Sequence, residues 1–260
     1  AGAGIACSRP TPAPTRSSRP TRSFGPTASF RMSQQSQVPT FHPRMALIDL
    51  DGTLVDSVPD LTHSVDAMMA ELGRPPHGEA AVRNWVGNGV ERLVKRALTG
   101  TLDGEPAAAD FDRAYPVFLE RYTAHNGERS RLYPGVAEGL RLLAARGVRL
   151  GCVTNKAARF TEPLLAALGV ADHFGIIISG DSLPEKKPSP LPLQHAAQHF
   201  GVAPPDALMV GDSISDVKAA RAAGFAVVCV SYGYNHGLDI RDAEPDAVID
   251  SLAELDTLLA

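Results

Sequence analysis

Four short polar clusters hold the residue types that do chemistry in this chain. Asp49 and Asp51 stand two apart in Asp49-Leu50-Asp51-Gly52-Thr53, and Asp212 and Asp216 four apart in Gly211-Asp212-Ser213-Ile214-Ser215-Asp216. Thr154-Asn155 supplies a hydroxyl and an amide, and Lys186-Lys187-Pro188-Ser189-Pro190 supplies cations. Carboxylates gathered without a cation repel one another and raise each other's pKa. A hard divalent ion resolves that conflict, and oxygen ligands with no His or Cys beside them favour Mg²⁺ over zinc. Mg²⁺ keeps waters and bridges to phosphate, so the chemistry indicated is phosphoryl transfer. One Asp can attack phosphorus while a second, two residues on, protonates the leaving oxygen and then activates water. The ion and Lys187 offset the repulsion between an anionic phosphate and an anionic nucleophile. Thr154 and Asn155 offer donors to the phosphate oxygens.

Each cluster alone is a weak signal, because an Asp after a strand commonly serves a turn or caps a helix. Their order along the chain, each after its own strand, is what favours a common site. Met45 to Ile48 is a continuous apolar run ending at Asp49, as expected of a strand buried on both faces. Further strands are expected at 148–153, 176–178, 207–210, 226–230 and, shorter, 247–249. Helical stretches lie between them at 136–146, 162–168, 191–200 and 216–223, each followed by a glycine stop signal. This alternation predicts an α/β fold with a doubly wound parallel sheet. In such sheets ligands bind beyond the carboxyl ends of the strands, which is where the four clusters fall.

About a hundred residues separate the first two strands, far more than an ordinary connection. Leu61, Val65, Met68 and Leu72 recur at helical spacing before Gly73, and helical runs follow at 82–98 and 111–122, the latter interrupted by Pro116. A small all-helical domain over 58–132 is expected, leaving 45–57 and 133–260 for the α/β core.

Composition bounds the rest. The 260 residues carry a net charge of −4, yet residues 1–48 hold six arginines and no Asp or Glu, so that segment is +6 and the remainder −10. An acidic body argues against nucleic-acid or membrane-surface partners. Residues 1 to about 40, rich in Pro, Ser and Thr, cannot bury enough apolar surface to offset their conformational entropy and are expected to be disordered or removed. Translation from upstream of the true start is favoured for them over an organelle transit peptide, and a secretory signal lacks its apolar region. Three widely spaced cysteines, Cys7, Cys152 and Cys229, suit a reducing compartment and offer no zinc spacing. A cytoplasmic protein is expected, or an organellar one if residues 1–44 are a transit peptide. No run approaches the roughly 18 apolar residues of a membrane span.

From Met45 onward the chain resembles the haloacid dehalogenase superfamily, with its four signatures in order: Asp49 to Ser57, Thr154-Asn155, Lys187 before Pro188, and Gly211-Asp212-Ser213 with Asp216. The resemblance implies a Rossmann-like core with a helical C1 cap inserted after strand one, closing over small substrates. It implies Asp49 as nucleophile and Asp51 as general acid/base. It also implies Mg²⁺ held by the Asp49 carboxylate, the Asp51 carbonyl and the Asp212 carboxylate, supported by Ser213 and Asp216. Thr154, Asn155 and Lys187 would grip the phosphoryl group. Dehalogenases of the superfamily lack the second Asp of the first signature, so Asp51 favours phosphoryl transfer.

Three stretches are similar to the phosphoglycolate phosphatase branch: Trp85-Val86-Gly87-Asn88-Gly89-Val90-Glu91-Arg92-Leu93-Val94, the Lys186 to Pro190 loop, and Ser231-Tyr232-Gly233-Tyr234-Asn235-His236-Gly237. The implied substrate is 2-phosphoglycolate, handled by a monomer or small homo-oligomer. Its carboxylate needs a cation or a cluster of N–H groups. Gly87-Asn88-Gly89 could provide the latter, and Arg83, Arg92 and Lys95 are cationic candidates that a solvated helix face explains equally well. Trp85 reads as a packing anchor, His236 as a structural loop residue although it could reach the crevice, and Lys186 as solvated. A sugar phosphomutase of the β-phosphoglucomutase type, another small-phosphate phosphatase or pyrophosphatase, and a non-catalytic binding domain remain as alternatives.

Overall fold

Met45 to Ile48 form β1, every residue of it fully buried, in the middle of a parallel sheet. In this computed structural model, which describes residues 40–260, β1 pairs on one side with β4 (Arg149–Val153) and on the other with β6 (Ala207–Gly211). β5 (Ile176–Ile178) flanks β4, and β7 (Ala226–Val230) and β8 (Ala247–Ile249) extend beyond β6. The order is β5-β4-β1-β6-β7-β8, a doubly wound sheet with each strand within a residue of its expected place. The leader expected over residues 1–40 lies, but for Thr40, outside the described range.

Side chains alternate across the strands, so two apolar layers form. Ala46, Ile48, Leu150, Leu208 and Val210 face one layer with Leu140 and Leu143 of α5 (Val136–Ala145) and Leu164 of α6 (Ala158–Ala167). Met45, Leu47, Met209 and Val227 face the other with Leu193 of α7 (Leu191–Phe200) and Val217 of α8 (Ile214–Ala223). Cys152 and Cys229 are buried, one in each layer, and burial pushes both thiols up, so they are inert core residues. α8 starts at Ile214, two residues before the expected 216, where Ser213 and Asp216 form a capping box.

Between β1 and β4 the chain makes a two-stranded antiparallel ribbon, β2 (Val55–Asp56) with β3 (Arg131–Leu132), too short to show as a strand pattern. Four helices lie between its strands: α1 (Val58–Glu71), α2 (Gly78–Trp85), α3 (Val90–Thr99) and α4 (Ala108–His125). Two expectations need correction. The run over 82–98 is two helices, broken where Gly87, Asn88 and Gly89 take φ values of 117°, 67° and 92°. Pro116 does not interrupt α4, which continues for 18 residues. Burial of Ala114, Phe118 and Tyr122 outweighs the missing N–H and ring clash, which cost about 3 kcal/mol.

The four helices share an apolar cluster of their own, to which α6 contributes Phe160 and the loop after β7 contributes Tyr234. Trp85 is buried in it as the anchor expected. Asp60, wholly buried in the first turn of α1, ties the exit of this helical unit to its entry. Its carboxylate accepts from the N–H groups of Gly127, Arg129 and Ser130, each at 2.9 Å, and from Ser130 Oγ at 2.6 Å. Among the described residues no helix is long and apolar enough to cross a membrane.

Candidate active site

The strand order reverses at β1, so the loops leaving β1, β4 and β6 part there and open a cleft beyond the strands' carboxyl ends. Asp49, Asp51, Thr154, Asn155, Lys187, Asp212 and Ser213 all line it, and Asp216 lies fully buried beside it. The four polar clusters, scattered over 168 positions of sequence from Asp49 to Asp216, thus meet at one place.

Backbone geometry sets the carboxylates. The Asp49 N–H donates to Val210 of β6 at 2.9 Å, continuing the β1–β6 ladder, and the Asp49 carboxylate accepts from the Leu50 N–H at 2.8 Å. Gly52 turns with φ +89°, and a Cβ there would stand 2.2 Å from Asp212 Oδ2, so only glycine lets the two loops approach. Asp212 accepts from Thr53 Oγ1 at 3.1 Å and from the Tyr234 N–H at 2.6 Å. Asp216 Oδ2 collects the Asp212 N–H at 3.2 Å, the Ser213 N–H at 3.1 Å and Ser213 Oγ at 2.7 Å, which fixes the loop after β6.

Carboxylate oxygens of Asp49, Asp212 and Asp216 lie within 4.8 Å of one another. Burial pushes the Asp49 carboxyl up to about 7 against the opposing charge of Lys187, and the nearby Asp216 adds to the rise. Burial also raises Asp212 well above the usual carboxylate range, reinforced by the charges of Asp49 and Asp216. Lys187, only 2% exposed, forms ion pairs through Nζ with Asp216 at 2.7 Å and with Asp49 at 2.8 Å, and donates to the Val153 carbonyl at 2.7 Å. Burial disfavours its charge, but the two carboxylates outweigh burial and hold it protonated. One ammonium against three buried carboxylates leaves a deficit of positive charge, and the hard oxygen donors around it suit a small divalent cation.

The expected residues are therefore together, though two are engaged differently than anticipated. Asp51 points its carboxylate away from the other acids toward Lys156 Nζ, 3.1 Å away. The Asn155 side-chain amide donates to the Lys187 carbonyl at 2.9 Å and so positions that lysine. Lys156 went unremarked in the sequence although it directly follows Thr154-Asn155. It is buried and bonds Tyr122 of α4 as well as Asp51; burial disfavours its charge, but Asp51 and Tyr122 together outweigh burial and hold it protonated. Tyr122 itself is pushed up to about 12 by burial. Neither residue type nor spacing signals this contact, since Tyr122 reaches Lys156 only through the docking of the helical unit.

That unit forms the opposite wall with Leu61, Val86, Gly87, Asn88, Gly89 and Leu93. Arg96 shapes the 86–89 loop, donating to the Trp85 carbonyl at 2.6 Å, the Gly87 carbonyl at 3.2 Å and Asn88 Oδ1 at 3.1 Å. Arg83, Arg92 and Lys95 do not line the cleft. Arg83 pairs with Asp56, Arg92 with Glu105, and Lys95 with Glu91 and Glu105. Lys186 is exposed, as expected, but its ammonium reaches the Asn88 carbonyl at 2.9 Å across the cleft mouth.

A family model for haloacid dehalogenase-like hydrolases matches residues 43–224, and the chain belongs to this family. Phosphatases of the family are generally metal-dependent, and the three clustered acids accord with that. Over 218 residues the chain is 64% identical to a phosphoglycolate phosphatase of Nitrosococcus oceani, covering 84% of this chain and 97% of that protein. It is 50% identical over 211 residues to a phosphoglycolate phosphatase of Thiobacillus denitrificans, covering 81% and 93%. Among solved structures, a predicted phosphoglycolate phosphatase from Haemophilus somnus superposes with a TM-score of 0.78 at 37% identity, covering 83% of this chain and 97% of that one. CbbY from Rhodobacter sphaeroides, in complex with phosphate, superposes with a TM-score of 0.67 at 27% identity, covering 82% and 96%.

Proposed function

We propose that this chain is a magnesium-dependent phosphatase that hydrolyses 2-phosphoglycolate to glycolate and phosphate through a phosphoaspartyl intermediate. The observation that carries this reading is the Asp49 carboxylate at the switch point, flanked by Lys187 on one side and by Asp212 and Asp216 on the other. Identity of 64% to a phosphoglycolate phosphatase supports the substrate.

The residues divide the work as follows. The Thr154 hydroxyl, the Asn155 main-chain N–H and the Lys187 ammonium receive the phosphoryl oxygens. Asp49 attacks phosphorus, forming an acyl phosphate as the bond to the glycolate oxygen breaks, and Asp51 gives that oxygen its proton. Asp51 then takes a proton from water, which attacks phosphorus and frees Asp49 and inorganic phosphate. The Asp49 and Asp212 carboxylates and the Asp51 carbonyl would hold Mg²⁺, which when bound offsets the charge repulsion between ester and nucleophile. Asp216, with all of its bonds spent on Lys187 and the Ser213 loop, supports the others from behind. Residues 58–132 act as the cap over a core of 45–57 and 133–260, and the shared apolar cluster with Phe160 and Tyr234 supports a cap docked over the strand ends.

The test is phosphate release by the purified protein from a panel of small phosphate esters, with and without EDTA. Turnover of 2-phosphoglycolate is expected, lost on chelation and restored by Mg²⁺, and absent in Asp49→Asn with unchanged circular dichroism. Wild-type turnover in Asp49→Asn would refute the nucleophile assignment.

A further inference from the structure

The phosphoryl end of the cleft is furnished by Thr154, Asn155 and Lys187, so the rest of a bound ester faces the wall made by residues 86–89 and the loop after β7. A two-carbon acid phosphate presents a carboxylate there, and burying a carboxylate without a donor is costly. The neighbouring cations are engaged elsewhere. Lys187 serves Asp49 and Asp216, Lys156 serves Asp51 and Tyr122, Arg83 serves Asp56, Arg96 serves the Trp85 and Gly87 carbonyls, and Lys186, at the solvent-exposed mouth, serves the Asn88 carbonyl.

His236 is different. It lines the cleft from the core side, and its Nδ1 lies 2.9 Å from the Asn84 carbonyl at the end of α2. A carbonyl only accepts, so Nδ1 carries its hydrogen and Nε2 presents its lone pair. Among the described residues Nε2 has no hydrogen-bond partner, whereas Asn235 beside it is engaged with the Ile214 N–H and the Leu238 carbonyl. The ring edge is turned toward the cleft wall. A Cβ on Gly87 would come within 3.3 Å of Cε1 and 3.5 Å of Nε2, so the glycine leaves the ring its room. The backbone of His236 is held at φ 52°, an uncommon conformation for a residue with a side chain, of the sort that persists where the surroundings dictate it.

We propose that His236 is the specificity-determining residue of this cleft, binding the carboxylate of the substrate through Nε2. The inference rests on the phosphoglycolate reading of the same site. A carboxylate arriving at Nε2 draws a proton from solvent onto the ring, which makes the pair charge-assisted while Nδ1 keeps its bond to Asn84. Because that bond joins the core loop to the helical unit, the carboxylate is read where the two meet.

The experiment compares kcat and KM of the wild type, His236→Ala and His236→Gln on 2-phosphoglycolate and on 2-hydroxyethyl phosphate, which has the same length and no carboxylate. On 2-phosphoglycolate, His236→Ala is expected to lose about ten- to a hundredfold in kcat/KM, mostly through KM, the size of one charge-assisted bond. On 2-hydroxyethyl phosphate it should match the wild type, and His236→Gln, which keeps a donor of similar reach, should recover part of the loss. Equal losses on both esters would mean that His236 only props the loop, and no loss on either would put the carboxylate elsewhere; both results overturn the inference alone. A wild type inactive on 2-phosphoglycolate but active on other esters would overturn the reading beneath it as well.

Discussion

Two lysines divide the acidic residues of the cleft into separate tasks. Lys187 neutralises the Asp49–Asp216 side, where the negative charge is densest, and Lys156 holds Asp51 apart from it. Asp49 and Asp51, proposed as nucleophile and proton carrier and only two residues apart in sequence, thereby occupy different electrostatic settings, as paired carboxylates with opposite tasks require. Asp51→Asn removes the proposed proton carrier without removing a proposed phosphate ligand, so kcat should fall by about a hundredfold or more while KM changes little. Lys156→Met keeps the stem and deletes the ammonium that aims Asp51. We expect kcat to fall by about tenfold or more, again with little change in KM. Initial-rate kinetics on both variants would check this, and a loss confined to KM would assign Lys156 to substrate binding instead.

At the scale of elements, the β2–β3 ribbon and Asp60 attach the helical unit to the sheet. Asp60 satisfies four donors at the point where the chain returns to the core, and the two from buried Ser130 have no water to turn to. Asp60→Ala leaves all four without this acceptor, so the chain should lose about 3 kcal/mol of stability. Asp60→Asn, which keeps one acceptor oxygen, should lose less. Denaturant unfolding of the two variants would show the order. The break at Gly87-Asn88-Gly89 matters at the same scale, because a continuous helix through 82–98 would bring no main-chain loop to the cleft wall.

For the molecule as a whole, the buried acids make stability depend on pH and on divalent ions together. Asp49 in the folded chain titrates at about 7, against 3.8 for an ordinary Asp, so between those values the folded state binds more protons than the unfolded state. Stability from this group is therefore fully present below about pH 4 and is lost as pH rises toward 7. A cation at the same oxygens replaces the missing proton. The rise in Tm on adding Mg²⁺ should thus be small in acid and grow as pH passes 7, and Asp49→Asn should flatten that growth. Thermal unfolding across this range, with and without Mg²⁺, measures it; an Mg²⁺ increment independent of pH would contradict the assignment of Asp49 to the metal.

Much of this was legible in the residues themselves. Unbroken apolar runs such as Met45 to Ile48 can be buried only on both faces, so the strands, their parallel sheet and the placement of Asp49, Asp51, Thr154, Lys187 and Asp212 at strand ends follow from local pattern and composition. What the tertiary structure decided is everything that depends on distant segments touching. The salt bridge from Lys156 to Asp51, the bond from Tyr122 to Lys156, the diversion of Arg83 to Asp56, and the exposure of one face of His236 to the cleft all depend on segments far apart in sequence. Periodicity reports which face of an element is apolar, because burial acts on each side chain separately. It is silent on which polar group meets which, because a hydrogen bond or ion pair is set by the mutual position of two elements, and that is fixed only when the helices dock on the sheet.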